Sequence, residues 1–324
     1  MSKANQEFCC TYCKAKSSTP LYPTSDIFGL NYYMHRCKEC SAVVLHPPPS
    51  IEEIMELPYD ETYYGEGEKK FSPLIEAVLD YFRSSRARLL NKYLKGSGRI
   101  LDIGCGNGIF LDSMTHQGDY EIYGIELDGE SARRAAQVPN IHLQIGPLSW
   151  EDYPENHFDA ITLFHVFEHL TEPRETLEIM ERILKPDGTL ILSFPNIDSW
   201  QSRWFKGNWF HLDPPRHLFF FTPKDFKREM NGLGFEVVKE KHFNVEYNPY
   251  GIQQSLLNYV VPKRDVLYEH LKGNKGYTKG ISSTSLFLQN VFFKLSYPIF
   301  TGLDVGNILM RKGATVEFVL KRKR

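Results

Sequence analysis

Two pairs of cysteines near the start of the chain have the spacing of a metal site. Cys10 and Cys13 form the first pair, and Cys37 and Cys40 form the second, with two residues inside each pair. Each pair presents two soft thiolates from one tight turn, and four thiolates suit tetrahedral Zn²⁺. Clustered cysteines in a reducing compartment favour a metal over disulfides. We therefore predict a zinc ribbon in which four sulfurs close the coordination shell and make the metal structural.

Two neighbouring residues could replace a ligand of this set. Cys9 adjoins the first pair, and His35 lies shortly before the second. We prefer the symmetric set of four cysteines, and the competing interpretation is a group of surface thiols without metal.

A second group of residues has the pattern of a nucleotide-type binding turn. Asp102 ends an apolar run, and Gly104, Gly106 and Gly108 follow it at every second position. Glycines allow a sharp turn and let the backbone approach a ligand closely. Glu126 follows at the end of the next apolar run, where a carboxylate can reach the hydroxyls of a ribose. The order strand, turn, helix, strand and acid predicts a cofactor site at this turn.

The glycine spacing disfavours a nicotinamide dinucleotide. That fingerprint needs a glycine three positions beyond Gly106, where this chain has Ile109. A carboxylate at Asp102 would also repel a pyrophosphate, whereas it suits a ligand that carries an ammonium group. An oxidoreductase is therefore a minor alternative.

The run from Asp102 to Gly108 resembles motif I of class I S-adenosylmethionine-dependent methyltransferases. Residues 158–173 and 184–190 are similar to the fourth-strand and fifth-strand segments of that superfamily. Residues 195–218 are similar to a bacterial subgroup whose members carry an N-terminal cysteine ribbon and modify sugar-containing substrates. The resemblance implies a Rossmann-like fold, the cofactor S-adenosylmethionine and methyl transfer to a hydroxyl of a sugar or glycoconjugate.

The resemblance also implies roles for single residues around the cofactor. Asp102 and Gly104 would lie against its methionine part, and Glu126 would bind its ribose. The acid that many family members place near the adenine is missing, so that contact falls to Ser149 or to backbone groups. The complete expected set is Asp102, Gly104, Cys105, Gly106, Gly108, Glu126, Leu127, Ser149 and His165.

A hydroxyl acceptor must lose a proton, and histidine is the natural general base near neutral pH. His217, beside Arg216, is the preferred candidate, and His169 is the second. The guanidinium of Arg216 could bind a carboxylate or phosphate of the acceptor. The structural alternatives are that His217 only bonds a carbonyl of its loop and that His169 only caps a turn.

The elements that must position these residues follow from hydrophobic periodicity. Short apolar strands alternate with helical patterns from residue 99 onward, which predicts a doubly wound, mostly parallel, Rossmann-like sheet of seven strands beside a small zinc ribbon. The predicted strands span 99–103, 121–125, 141–145, 158–164, 189–194, 235–241 and 315–321. The predicted helices span 73–95, 108–116, 129–136, 175–184 and 223–232.

Three domains are expected along the chain: a ribbon over 1-50, a connector and helix over 51-95, and the methyltransferase domain over 96-324. Three consecutive prolines at 47–49 mark the first boundary because proline cannot continue a helix or a central strand. The connector is rich in tyrosine (Tyr59, Tyr63, Tyr64), and Ser72 is the expected N-cap of its helix.

The last domain carries two segments that could cover a substrate. Aromatic residues crowd 200–221, either as a lid that stacks on the acceptor or as an ordinary apolar cap. An insertion over 244-312 places Tyr250 and Gln254 toward the acceptor on position alone. Its apolar tract, 286–303, is too interrupted to span a bilayer. We expect a surface helix that packs on the core, with weak contact to a lipid surface as the alternative.

Composition limits the remaining possibilities. The 38 basic and 40 acidic residues give a net charge of −2, so no nucleic-acid partner is expected. The start of the chain lacks the apolar segment of a secretory signal, which predicts a cytoplasmic protein, with the inner face of the membrane as a possible contact. The competing functions are a ribbon-based binding or scaffold protein and a methyltransferase for a non-sugar small molecule.

Overall fold

The computed structural model describes residues 6–50, 53, 73–242 and 248–324, with backbone alone over 73–83. Its strands are β1 Ser18–Ser25, β2 Asn31–Cys37, β3 Val43–His46, β4 Ser97–Ile103, β5 Asp119–Glu126, β6 His142–Ile145, β7 Phe158–Phe164, β8 Leu184–Pro195, β9 Phe219–Phe220, β10 Phe235–Lys241 and β11 Thr315–Arg322. Its α-helices are α1 Pro73–Leu94, α2 Ile109–Thr115, α3 Glu130–Ala135, α4 Pro173–Ile183, α5 Trp200–Phe205, α6 Pro223–Gly232, α7 Asn248–Val260, α8 Val266–Leu271, α9 Lys275–Thr278 and α10 Ser283–Leu309.

The chain divides into two compact units, and neither of them is continuous in sequence. The ribbon unit consists of Met1–Pro58, Pro195–Phe226 and Lys241–Val316. The sheet unit consists of Tyr59–Phe194, Lys227–Glu240 and Glu317–Arg324. The sequence patterns divide the chain into domains over 1–50, 51–95 and 96–324. That these parts fold independently stays a prediction.

The sheet unit contains the expected Rossmann-like sheet. Seven strands lie in the order β10-β11-β8-β7-β4-β5-β6. The pairs β4–β5, β5–β6, β4–β7 and β7–β8 are parallel. The chain leaves β4 toward β5 on one side and later returns to β7 on the other, so β4 and β7 flank the switch point of the sheet. Ligands of such sheets bind beyond the carboxyl ends of the strands at this point.

The predicted strands agree with the observed ones to within a few residues, with one exception. The fifth predicted strand, 189–194, begins earlier in the structure because Leu184 already pairs with Phe158. His169 lies in a 3-10 turn, Phe167–His169, ahead of α4, which starts at Pro173. The three connector tyrosines and the Ser72 cap lie outside the described residues.

The ribbon unit has a smaller sheet that joins distant parts of the chain. Four strands lie in the order β1-β2-β3-β9. Phe219 and Phe220 in β9 pair with Val44 and Val43 in β3, in antiparallel register. Trp209, which is fully buried, packs in the same hydrophobic cluster as residues of β2, β3 and β9. Part of the segment 195–226 therefore completes the sheet that the ribbon strands begin.

A buried asparagine of the ribbon unit joins two helices to Thr315. The Asn248 amide in α7 donates to Oδ2 of Asp304 in α10 at 3.0 Å and to the carbonyl of His242 at 3.3 Å. Its oxygen accepts from the N–H and the hydroxyl of Thr315. Among the described residues, none of the helices combines the length and the apolarity that crossing a bilayer takes.

Candidate functional site

The glycine turn after β4 has one position open to a ligand. Gly104, Gly106 and Gly108 have φ of 69°, 57° and 76°, in the left-handed region that glycine tolerates best. A Cβ on Gly104 would lie 2.4 Å from Val166 Cγ2, and one on Gly108 would lie 2.8 Å from Val138 Cγ2. A Cβ on Gly106 would meet no atom within 4 Å. Two glycines therefore allow tight packing, while the third leaves open space beside the backbone.

Glu126 lies against this turn, as its position at the end of β5 predicts. Its Oε2 accepts from the Gly106 N–H at 2.6 Å, and its Oε1 accepts from the Leu127 N–H at 2.9 Å. Burial raises the pKa of Glu126, while these two N–H donors oppose the shift. Each oxygen keeps further acceptor capacity, which vicinal hydroxyls of a ribose can use.

Asp102 is a buried carboxyl group at the end of β4. The Thr162 hydroxyl in β7 donates to its Oδ1 at 2.6 Å. Burial raises the pKa of Asp102 to about 7, the Thr162 hydrogen bond opposes this rise, and the nearby charge of Glu126 adds to it. Two acidic groups around one turn favour a ligand that brings positive charge.

The other expected cofactor residues of the sheet unit differ in how they are held. Burial raises the pKa of the Cys105 thiol, so Cys105 stays a neutral packing residue of the turn. Leu127 is exposed, and its N–H donates to Glu126.

Ser149 follows β6, and its N–H donates to Oδ2 of Asp152 at 2.7 Å. The same oxygen accepts from Gln144 at 2.7 Å, so Asp152 fixes this turn. Sequence reasoning missed Asp152, although an acid three residues after a serine is a local signal for such a turn.

His165 follows β7 directly and is held in a left-handed conformation with φ 58°. Its N–H donates to the Ser193 carbonyl in β8 at 3.0 Å, and its Nδ1 lies 3.5 Å from Oε1 of the buried Glu168. The next residue, Val166, is the one that leaves no room for a side chain at Gly104. The segment that contains His165 therefore packs on the glycine turn, and His169 lies at the end of the same segment.

His217 belongs to the ribbon unit, in the loop before β9. Its Nδ1 lies 2.8 Å from the carbonyl oxygen of His211. Because a carbonyl can only accept, Nδ1 carries the proton and Nε2 carries the lone pair of the neutral ring. The loop therefore fixes the tautomer that a general base acting through Nε2 needs.

Three other residues expected to face the acceptor are used inside the ribbon unit. Arg216 donates from Nε and Nη2 to both oxygens of Asp213, at 2.9 and 2.8 Å. In the structure, Nε and Nη2 of Arg216 bind the carboxylate of Asp213, so these two donors are already used within the loop. The Tyr250 hydroxyl donates to Oε1 of Gln254, which also accepts from the N–H of Tyr268. The aromatic segment is also divided, since Trp204 is exposed whereas Trp209 is core.

The four predicted metal ligands come together in the ribbon unit. The Sγ atoms of Cys10, Cys13, Cys37 and Cys40 all lie within 4.8 Å of one another. Cys10 and Cys40 are 3.6 Å apart at sulfur, as are Cys13 and Cys37. Four thiolates on a tetrahedron of 2.3 Å bonds would be about 3.8 Å apart, so the geometry fits Zn²⁺.

Local backbone conformation explains how the two cysteine pairs reach each other. Lys14 follows the first pair and Ser41 the second, and both have positive φ, which folds each pair into a tight turn. The expected substitutes lie outside the cluster. Cys9 Sγ lies 3.7 Å from the Lys14 carbonyl, and the His35 ring stacks on Phe8 with Nδ1 3.0 Å from the Ser18 hydroxyl.

Comparison with known proteins assigns the middle of the chain to a known family. A family described as "Methyltransferase domain" matches residues 75–240, which is half of the chain. The ubiquinone biosynthesis O-methyltransferase of Actinobacillus pleuropneumoniae serotype 5b is 30% identical over 128 residues, covering 36% of this chain and 52% of that protein. The protein of the same name from Alkalilimnicola ehrlichii is 32% identical over 108 residues, covering 30% and 42%. The chain thus spans about half the length of the curated relatives it matches.

Solved structures of low sequence identity also match. A S-adenosylmethionine-dependent methyltransferase from Archaeoglobus fulgidus has a TM-score of 0.45 and 18% identity, with coverage of 75% of this chain and 94% of that one. One from Mesorhizobium loti has a TM-score of 0.42 and 13% identity, with coverage of 70% and 92%.

Proposed function

The chain belongs to the family of methyltransferase domains, and from that premise we propose that it transfers the methyl group of S-adenosylmethionine to a hydroxyl group of a small-molecule acceptor. The observation that carries this proposal is the open glycine turn between Asp102 and Glu126. The carboxyl groups of Asp102 and Glu126 suit a ligand that has a ribose, an ammonium group and a positively charged sulfur.

The residues around the turn divide the work of binding. Glu126 takes the ribose hydroxyls, and the peptide at Gly106 lets the ligand approach because no side chain fills that space. Asp102 favours the cationic methionine part, the turn at Ser149 borders the adenine, and His165 closes the site beside Gly104. When bound, S-adenosylmethionine supplies a methyl group that its sulfonium already activates.

His217 is the proposed general base, with His169 as the second candidate. The His211 carbonyl holds the Nδ1 proton of His217, so Nε2 can take the proton of an acceptor hydroxyl. A positioned base contributes about 10²–10⁴-fold to such a step. Most of the remaining acceleration comes from holding the hydroxyl oxygen in line with the methyl group.

The proposed acceptor is a sugar or glycoconjugate hydroxyl, on the resemblance of residues 195–218 to the bacterial subgroup described above. The curated relatives support a second candidate, because their name places O-methylation in ubiquinone biosynthesis. The test is to incubate the chain with labelled S-adenosylmethionine and with nucleotide sugars, glycan extracts or phenolic quinone precursors. Mass analysis then shows which of these compounds gains the mass of one CH₂, and that compound class is the acceptor.

The four cysteines are proposed to hold one structural Zn²⁺, since their thiolates leave no coordination position for water. A stable tetrathiolate site supports a location in a reducing compartment, the cytoplasm. The competing function is a scaffold whose ribbon binds another macromolecule. Salt-dependent binding of RNA or DNA together with failure to bind S-adenosylmethionine would favour the scaffold.

One substitution tests the proposed base without removing the structural contact of His217. In His217→Asn the amide can still donate to the His211 carbonyl, but the Nε2 lone pair is gone. We expect kcat to fall about 10²–10⁴-fold while calorimetry shows unchanged affinity for S-adenosylmethionine. His169→Asn is the matched variant, and an equal loss in both, or a loss in His169→Asn alone, would contradict the assignment to His217.

A further inference from the structure

Helix α10 of the ribbon unit buries polar side chains and exposes apolar ones. A surface helix of a globular protein normally turns its apolar side chains toward the core. In α10 the buried residues are Gln289, Asp304 and Asn307, and all of them are polar. Large apolar side chains of the same helix are exposed instead: Phe287, Leu288, Leu295, Ile299, Leu303, Val305 and Leu309.

The exposed apolar residues form one continuous face. At about 100° of rotation per residue, Phe287, Leu288, Leu295, Ile299 and Leu309 fall within about 120° of arc. These five residues are called the α10 face below. Leu295 is 71% exposed, Ile299 64% and Leu309 82%. The face runs from Phe287 to Leu309 of the helix, so it extends over about 33 Å.

Hydrogen bonds hold α10 in this orientation. The amide of Gln253 in α7 donates to the Ser296 hydroxyl and to the Phe293 carbonyl, both at 2.8 Å. Asn248 donates to Asp304 at 3.0 Å. Rotating the apolar face inward would break these buried polar contacts, at a cost per group of about 1–3 kcal/mol.

The apolar surface continues onto the end of α7. Val260 and Tyr259 are exposed there. A cavity of about 470 Å³ lies between the two helices, and the residues that line it include Leu257, Val260, Leu288 and Phe292. Exposed apolar surface of this extent on a protein marks an interaction site.

The exposed charges of the chain segment that carries the face have one sign. Between residues 256 and 312, the exposed charged side chains are those of Lys275, Lys279, Lys294 and Arg311. The carboxyl groups of the same stretch, Asp265, Glu269 and Asp304, are buried. Two of them pair internally, with Arg264 and Lys272 respectively. Within residues 256–312, all of which the structure describes, the exposed charges are therefore cationic and the carboxyl groups are buried.

We propose that the α10 face binds the surface of an anionic lipid bilayer, with the helix lying parallel to the membrane plane. The apolar side chains would enter the boundary between headgroups and acyl chains, and the four exposed cations would contact acidic headgroups. A second copy of this chain fits less well, because a two-fold contact through the face would bring Lys294 and its neighbours toward cations of the same kind. This inference does not rest on the proposed methyl transfer.

Vesicle flotation with the full chain tests this inference. We expect binding to vesicles of phosphatidylcholine with phosphatidylglycerol, weaker binding to phosphatidylcholine alone, and weaker binding to the acidic vesicles at high salt. The double variant Leu295→Glu, Ile299→Glu should lower the affinity for acidic vesicles by about tenfold or more, since each change removes a large apolar side chain from the lipid contact.

Val238→Glu is the control, because Val238 is an exposed apolar residue of β10 in the sheet unit. It should bind vesicles as the unchanged chain does. A far-ultraviolet circular dichroism spectrum and an unfolding temperature equal to those of the unchanged chain would show that the double variant is folded. Equal flotation of all three proteins, no flotation of any, or a dimer in sedimentation that the double variant dissociates would overturn the proposal, and the last result would assign the face to a second copy.

Discussion

The carboxyl group of Asp102 is held in a position that favours its neutral form. Burial raises its pKa to about 7, against an ordinary value near 4. The neutral form therefore stabilises the folded protein fully below pH 4, and this contribution is lost as the pH rises through 7. A bound cation would reverse the preference, because it favours the carboxylate. Attraction between the Asp102 carboxylate and the positive charge of the proposed ligand therefore offsets the unfavourable free energy of ionising this buried group.

Asp102→Asn should remove this pH dependence. Asn keeps the acceptor for the Thr162 hydroxyl but cannot ionise. We expect the unliganded variant to be more stable than the unchanged protein at pH 8 by about 1–4 kcal/mol, with the difference vanishing near pH 4. Affinity for S-adenosylmethionine should be lower in the variant and should no longer increase from pH 6 to pH 8.

Urea unfolding at several pH values and calorimetry with the cofactor measure both effects. A variant that is less stable than the unchanged protein at pH 8 would contradict the buried, raised carboxyl group. Since Glu126 and the other carboxyl groups are common to both proteins, the difference measures the ionisation of Asp102 together with its interaction with Glu126.

Among the elements, the sheet unit could be predicted from sequence and the ribbon sheet could not. Runs such as 158–164 are apolar on both faces and alternate with helical patterns, which is a local signal. Strand β1, in contrast, contains Pro20 and Pro23, which usually argue against a strand. Strand β9 has two residues and exists because β3 offers an edge to pair with. Long-range pairing of this kind leaves little trace in the local sequence.

The candidate sites show the same division. The cysteine pairs and the glycine turn are visible from spacing because their residues are close in sequence. The pairing of Arg216 with Asp213 and the tautomer of His217 depend on how one loop folds on itself, so residue types alone did not reveal them. The sequence also left open whether the apolar tract of α10 packs on the core or contacts a lipid surface, because periodicity gives the width of an apolar stripe but not the direction it faces.

The turns that carry the cysteine pairs support a direct test of the metal site. Cys37→Ser should bind less than about a tenth of the Zn²⁺ held by the unchanged chain, because a hydroxyl is a poor replacement for a thiolate. Cys9→Ser is the matched control and should keep one equivalent, since Cys9 lies outside the cluster. Elemental analysis after dialysis gives both values, and stoichiometric zinc in Cys37→Ser would count against four-thiolate binding.

At the scale of the whole molecule, the two units are interleaved along the chain. The chain leaves the ribbon unit after Pro58, returns to it at Pro195 and again at Lys241, and ends in the sheet unit. The ribbon strands, the loop of His217 and helix α10 therefore belong to one compact unit. Metal binding in that unit should stabilise parts of the chain that lie far from the cysteines in sequence.

Removal of the metal should change the hydrogen-exchange rates of the ribbon unit and leave those of the sheet unit unchanged. After chelation we expect faster exchange in β1, β2, β3 and β9, because the metal holds the turns that align the small sheet. Strands β4, β5 and β7 should keep their protection, since their core lies within the other unit. Faster exchange in β4 and β7, or unchanged exchange in β9, would contradict this division.

The pairing of Phe219–Phe220 with Val43–Val44 has a consequence for synthesis of the protein. On the ribosome, the first three strands of the small sheet emerge long before their fourth partner. Until then the backbone groups of Val43 and Val44 remain an open edge on a nascent chain, and such edges promote association between chains. Translation that stops before residue 219 would thus release an aggregation-prone fragment, even though every cysteine of the cluster is already present.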